Sequence, residues 1–421
     1  MAAVEQLLKA SLCCCALSLQ ACGGSGGTGA AVPPEPTPPA PVCTSLAESD
    51  AAELLSVQGE IHHAEFTDQC SLLAVIEQSV AATGSQGARI LGVTLDGHNR
   101  ASLAHDFLWD TGANERITGF RIGERNLYVW GDTDGVVNDQ SINAGRSDAF
   151  WGALDLPKGE LTLRQWGTHC PEQMVNLGVS TERWFAWGNH QVCVRENYVE
   201  RWENPFYLVG ATDDGDLTLT SAITRDSAHP DIITAGTALT DGAYATAVLV
   251  SSGVYRGVHV LASDDHANPL WSIQLSPSPL DTVASLIFDG GKLFAVGTTY
   301  LSLGGANRGG GDAFVAEIDP GNGYVVELIQ FGTEDNEWVT GVARVGDAWY
   351  LAADIEVDTS WRPALLTRRN ESLSRVDLNR AGTAQFTRGL SVNAHGIAVY
   401  GVTHYGGSQP RQAFVQFLDR T

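Results

Sequence analysis

The octapeptide Asp312-Ala313-Phe314-Val315-Ala316-Glu317-Ile318-Asp319 returns, altered, as Asp148-Ala149-Phe150-Trp151-Gly152-Ala153-Leu154-Asp155 and again as Gln412-Ala413-Phe414-Val415-Gln416-Phe417-Leu418-Asp419. A second motif keeps its own register: Asn336-Glu337-Trp338-Val339-Thr340-Gly341 matches Asn114-Glu115-Arg116-Ile117-Thr118-Gly119 at a displacement of 222. The segment 331–354 also aligns without gaps on 166–189, at a displacement of 165. That alignment superposes Gly332 on Gly167, Thr333 on Thr168, Glu337 on Glu172 and Trp349 on Trp184. Both displacements lie near multiples of 55, so two motifs recur in step and the chain is a repeat. Weaker copies begin near Arg89, Pro205, Gly257 and Arg362.

Each unit has one internal grammar. Short runs rich in Val, Ile, Tyr and Trp are split by turns such as Gly346-Asp347 and Asp319-Pro320-Gly321-Asn322-Gly323. Such punctuation reads as strands. Four antiparallel strands in each unit of about 50 residues, repeated, predict an all-β fold, a β-propeller. Residues 44–421 number 378, which at about 55 per unit predicts seven four-stranded blades, with six as the alternative. First strands are expected near residues 117, 175, 231, 284, 340 and 388, with an earlier one at 58–63 followed by a second strand at 71–76. The last unit ends after its third strand, at Asp419, and residues 52–57 are expected to supply the missing fourth. A helical reading of 47–55 competes with that closure.

The succession DAFVAEIDPGNG, FGTEDNEWVTGVA and WYLAAD resembles the bacterial SBBP-type β-propeller repeat of secreted and surface proteins. The resemblance covers most of 88–421, is best in the units starting at 148 and 312, and implies the fold far more than an activity.

The N-terminus carries a different signal. The apolar stretch 10–19 is too short to span a bilayer, which takes about 20 residues. Residues 1–21 are expected to be a lipoprotein signal peptide. The tetrapeptide Leu19-Gln20-Ala21-Cys22 resembles the lipobox of bacterial lipoproteins, which implies cleavage before Cys22 and lipidation there. Residues 22–43, rich in Gly, Ser and Pro, then form a tether. Gly23 after the cysteine resembles the outer-membrane sorting pattern, so the expected location is the outer membrane, lipid-anchored, on its periplasmic or cell-surface side.

The 49 acidic against 25 basic residues, a net charge of −24, exclude a basic field for nucleic acid or an anionic membrane surface. Membrane attachment is therefore expected through the lipid alone. Four cysteines outside the signal and anchor, Cys43, Cys70, Cys170 and Cys193, suit an oxidising compartment. Of three connectivities, the neighbouring pairs Cys43–Cys70 and Cys170–Cys193 are expected. Cys170 is placed in a blade-to-blade loop and Cys193 in a loop between second and third strands, which open on one face. Zinc is the rival, but no CxxC or HxxxH spacing occurs.

Candidate chemistry is sparse. Asp132, Asp134 and Asp139 give half of a calcium loop, without its terminal glutamate. No other cofactor is expected. Adjacent His62 and His63 point to opposite faces of a strand and cannot serve one ion without a bulge. Glu115, Glu172 and Glu337 recur at one repeat position, which marks a structural hydrogen-bonding group. No GxSxG, HExxH or phosphate-loop pattern occurs, so no catalytic residue is nominated. Trp130, Trp151, Trp184, Trp187 and Trp349 belong to strands and the core. Tyr300, Trp361, His404 and Tyr405 fall in loops opening on one face and could grip a glycan or peptide. The expected function is a monomeric binding or scaffold module of the cell envelope, whose partner is an envelope protein or an extracellular glycan. The alternative is a hydrolase or lyase on sugars or lactones, with a metal in the central channel.

Overall fold

The computed structural model describes residues 59–67, 71–79, 86–95, 101–109, 112–123, 126–137, 143–144, 146–155, 160–179, 183–194, 197–213, 216–224, 231–239, 242–251, 253–254, 256–378, 384–393, 396–404 and 411–419. They form antiparallel sheets, each a meander in chain order. The first sheet holds β1 (Glu60–Phe66), β2 (Ser71–Ser79), β3 (Gln86–Leu95) and β4 (Ala101–Trp109). The second holds β5 (Glu115–Ile122), β6 (Asn126–Thr133), β7 (Asp148–Asp155) and β8 (Glu160–Trp166). The third holds β9 (Glu172–Val179), β10 (Arg183–Val194), β11 (Asn197–Asp213) and β12 (Asp216–Thr224). The fourth comprises β13 (Asp231–Ala238), β14 (Tyr244–Val250), β15 (Gly257–Ser263) and β16 (Pro269–Ser276). Next come β17 (Thr282–Asp289), β18 (Lys292–Thr299), β19 (Asp312–Ile318) and β20 (Val325–Phe331), then β21 (Asn336–Val345), β22 (Ala348–Val357), β23 (Ser360–Arg369) and β24 (Ser372–Asp377). The last sheet has β25 (Ala384–Val392), β26 (Gly396–His404) and β27 (Gln412–Asp419).

The architecture is an all-β propeller. First strands pack in sequence, β1 on β5, β5 on β9, and so on to β21 on β25, and β25 packs back on β1. The expectation of seven four-stranded blades is corrected to the alternative of six: among the described residues six sheets have four strands and the last sheet has three. The physical reason is that the chain reaches Asp419 on a third strand; residues 47–57, expected to complete or contest that sheet, lie outside the described residues.

Why these segments stack is plain from their burial. Each junction between neighbouring sheets holds an apolar cluster. Trp130 and Trp151 of the second sheet meet Met174, Trp184 and Phe206 of the third, with the Trp151 and Trp184 rings 5.0 Å apart. Ile61, Leu72 and Ile76 of the first meet Tyr400, Val415 and Phe417 of the last, which closes the ring. The five tryptophans read as core are buried. No single sheet could cover these faces, so the blades are stable only as neighbours.

The DAF motif has a physical explanation. Phe150 of β7 lies opposite Gly131 of β6, and Phe314 of β19 opposite Gly297 of β18. A Cβ on Gly131 would stand 2.8 Å from the Phe150 ring and 1.9 Å from the Arg116 carbonyl oxygen. The glycine thus lets the ring lie over the second strand and lets the first strand close in beneath it. At each of these levels the first strand carries a β-bulge, the residues out of register being His62, Thr118, Val175, Thr234, Ala284, Thr340 and Arg388. Bulges increase twist, which lets the first strands splay around a common axis.

Side chains near the ends of the second strands reach the next blade. Asn189 donates to the Ile233 carbonyl at 3.0 Å and accepts from its N–H at 2.8 Å. Thr298 Oγ1 accepts from Val339 N–H at 2.9 Å and donates to the Glu337 carbonyl at 3.2 Å. Asp354 accepts from Thr387 N–H at 2.8 Å and from its hydroxyl at 3.0 Å.

Candidate functional site

In each antiparallel meander the second strand ends, and the first and third strands begin, at the same end of the ring. Two features stand at that end.

The first is the recurring acid. Glu337 Oε1 accepts from Thr333 N–H at 3.0 Å and from the Thr333 hydroxyl. Glu172 Oε1 accepts in the same way from Thr168 N–H at 3.1 Å and from its hydroxyl. Beside each glutamate lies the aspartate of the DAF motif. Asp312 Oδ2 accepts from Arg308 N–H at 3.0 Å and Gln330 Nε2 at 2.9 Å. Asp148 Oδ2 accepts from Ala144 N–H and Gln165 Nε2, both at 2.9 Å. All four carboxylates are 0% exposed. Burial raises Glu337 to about 7 and Glu172 to about 8, helped by the adjacent aspartates and opposed by the threonine bonds. These acids tie down blade-to-blade turns, the structural role their recurrence suggested.

The second feature is a charged cluster where the last, first and second sheets meet. Glu60 of β1 accepts from Arg388 Nε of β25 at 2.5 Å and from Arg411 Nη1 at 2.9 Å. His62 Nε2 lies 2.9 Å from Glu77 Oε2. Arg116 of β5 donates to Asp132 Oδ1 at 2.8 Å. The Gln173 amide, oriented with its oxygen toward Arg116, accepts from Nη2 at 2.6 Å. Burial works against the Glu60 carboxylate, yet Arg388, His62 and Arg411 hold it below the ordinary range. The hydrogen bond with His62 likewise lowers Glu77. Burial of Asp132 outweighs Arg116 and raises it. Arg388 and Arg411 keep 37% and 60% of their side-chain surface exposed, so they are the cluster's approachable cations.

Sequence reading missed this cluster because its members are scattered from residue 60 to 411. The available signal was local: a histidine and an arginine occupy the bulge position that Thr, Val or Ala fills in the other sheets. His62 and His63 diverge despite the bulge, and His63 packs edge-on against Phe120 at 4.8 Å and near Trp130 and Tyr400. Its burial depresses it to about 4.

The residues nominated from sequence are dispersed. Asp132 is neutralised by Arg116, and Asp134 accepts from Asn114 Nδ2 at 2.8 Å. Asp139 lies outside the described residues. Tyr300 follows β18, its N–H donating to Asp281 at 2.8 Å, whereas Trp361 stands on β23, in a different blade. His404 ends β26; its side chain and all of Tyr405 lie outside the described residues. Cys193 is on strand β10 and not in a loop, because β10 and β11 continue as a hairpin to the Val194–Asn197 pair. Cys170 is buried just before β9, and the neighbouring Pro171 carbonyl accepts from Gln191 N–H at 2.9 Å. Cys22, Cys43 and Cys70 lie outside the described residues. Two shallow hollows, of about 220 and 130 Å³, are lined in part by Tyr350 and Arg369 and by Trp349 and Arg344. Both are smaller than the roughly 300 Å³ at which small-molecule sites begin.

No family model matches the chain, and no curated protein matches it. Among solved structures it is similar to an acylaminoacyl peptidase of Pyrococcus horikoshii, with TM-score 0.51 and 9% identity over 87% of this chain and 53% of that one. The chain thus spans about half the length of that enzyme. It is also similar to the polysaccharide lyase Uly1, with TM-score 0.50 and 8% identity over 87% of this chain and 91% of that one. A third likeness is to the β-propeller domain of the Trilobed protease from Pyrococcus furiosus, with TM-score 0.49 and 10% identity over 87% and 96%. At such identities the likeness speaks of fold alone.

Proposed function

We propose that the chain is a lipid-anchored binding or scaffold module of the bacterial outer membrane, an SBBP-type propeller. Its partner is an envelope protein or an extracellular glycan, met at the loop end of the ring. The observation that carries this reading is the charged cluster of Glu60, His62, Arg116, Arg388 and Arg411 at that end. In a chain with 49 acidic residues, it gathers cations where a ligand approaching the axis would arrive. The lipobox-like Cys22 and the Gly/Pro tether support the anchor. The Pro171–Gln191 backbone bond, which brings the chain beside Cys170 next to the strand that carries Cys193, supports the Cys170–Cys193 disulfide.

One observation favours the alternative hydrolase or lyase: the His62–Glu77 pair is a histidine with a carboxylate partner, beside arginines that could meet an acidic sugar. The metal form of that alternative has less support, since Glu60, Glu77 and Asp132 already face cationic or imidazole partners. Fractionation of cells expressing the chain and its Cys22→Ser variant tests the anchor, and only the former is expected with the outer membrane. Crosslinking pull-down with the parent and an Arg388→Glu, Arg411→Glu variant tests the binding face. Equal capture by both would refute the assignment of that face. Cleavage of a uronate polysaccharide by the parent, lost in His62→Ala, would favour the enzyme.

A further inference from the structure

The acids at positions 312 and 337 satisfy only half of themselves. Every donor falls on Asp312 Oδ2 and on Glu337 Oε1, while Asp312 Oδ1 and Glu337 Oε2 are buried and have no hydrogen-bond partner. Both bare oxygens converge on Gly332: a Cβ there would be 2.4 Å from Asp312 Oδ1 and 2.6 Å from Glu337 Oε2. The pattern repeats three sheets earlier, where Asp148 Oδ1 and Glu172 Oε2 are again buried and unpartnered, and a Cβ on Gly167 would be 2.3 Å from Asp148 Oδ1. Two buried carboxylates close enough to feel each other's charge repel unless something positive lies between them. A calcium ion needs six to eight oxygens, whereas each pair leaves two buried oxygens without a partner.

We propose that each Asp–Glu pair shares one proton and works as an acid-closed latch on the ligand-facing loops. The proton would sit on the glutamate and be donated to the aspartate. Closed, Asp312 holds the 300–311 loop through Arg308 N–H and through Gln330, whose Oε1 also accepts from Leu303 N–H at 2.8 Å. Glu337 holds the following turn through Thr333. In the other blade, Gln165 links Asp148 to the Gly135 carbonyl at 3.0 Å and to Val137 N–H at 3.1 Å. Other charges near Glu337 are Asp335, itself paired with Arg375 at 2.8 Å, and Glu356, which accepts from Asn336 at 3.0 Å. Near Glu172 they are His190, opposite it on β10, and Arg116 on β5, which meets the neighbouring Gln173. None of these supplies a donor to the bare oxygens.

The sign follows from proton count. The closed latch keeps its proton where an opened glutamate, at its ordinary 4.5, has lost it, so opening releases a proton. Opening therefore grows by up to about tenfold per pH unit between 4.5 and about 7, then levels off.

Hydrogen exchange of the full chain, corrected for intrinsic rates and followed on 300–311 and 331–337 from acid to alkaline pH, tests this. The parent should show rising loop opening that saturates. Glu337→Gln, a permanent mimic of the protonated acid, should stay closed throughout, and infrared difference spectra of the parent should show a protonated buried carboxyl that the variant lacks. An unchanged pH profile in Glu337→Gln would overturn the proposal. So would closure of the parent at alkaline pH by added calcium chloride, which would assign the pair to a cation. If that variant does not fold, Glu172→Gln, read on 131–137, carries the same two outcomes.

Discussion

A methyl group on Gly332 would strike both Asp312 and Glu337, and neither carboxylate can retreat without abandoning its hydrogen bonds. Gly332→Ala should cost about 2–3 kcal/mol in urea unfolding, the range for overpacking a tight site. The same acids set a pH dependence. Glu172, at about 8, and Glu337, at about 7, are raised by burial, so the folded chain binds more protons than the unfolded one above 4.5. Stability from them is full below 4.5 and is lost as pH rises through those values. His63, lowered by burial to about 4, acts oppositely: its contribution grows with pH until 6.5 and is then constant. Between pH 6.5 and 8 only the loss should remain, about 2 kcal/mol, and the Glu172→Gln, Glu337→Gln double variant should flatten it. Recurrence exposed Glu172 and Glu337 in the sequence. Their aspartate partners were visible only as the first letter of DAF, because nothing in a linear motif says that strand three and the next strand one meet across a glycine.

At the scale of elements, the strand plan was legible because apolar runs and Gly/Asp turns alternate without interruption. Expected first-strand positions at 117, 175, 231, 284, 340 and 388 all fall within β5, β9, β13, β17, β21 and β25. The illegible part was what joins the strands of different blades. Thr298, Asn189 and Asp354 occupy comparable second-strand positions with three different side chains, so no letter repeats although the task does. Thr298→Val keeps the shape but leaves the Val339 N–H and Glu337 carbonyl without a buried partner. Chemical denaturation should show a loss of about 2 kcal/mol, and Thr298→Ser should recover most of it. Cys193 shows the opposite failure: loop spacing suggested a loop, but the β10–β11 hairpin runs on past the sheet and keeps the cysteine on a strand.

For the whole molecule, closure rests on the packing of Phe417, Val415 and Tyr400 against Ile61, Leu72 and Ile76, supported by the Gly59 N–H bond to the Arg411 carbonyl at 2.9 Å. Phe417→Ala should cost about 3–4 kcal/mol, and if the ring is one cooperative unit, fluorescence and far-ultraviolet dichroism should report the same lowered midpoint. Among the described residues, no helix is long and apolar enough to cross a membrane.

The junction of β25 with β1 differs from the rest in one respect. Elsewhere, adjoining blades are also linked by continuous polypeptide; here, among the described residues, apolar side chains and hydrogen bonds such as Gly59 N–H to the Arg411 carbonyl hold them. Mechanical tension applied between the two ends of the domain would concentrate at this join. It should part before any other, unzipping the circle into an arc while the individual sheets are still intact.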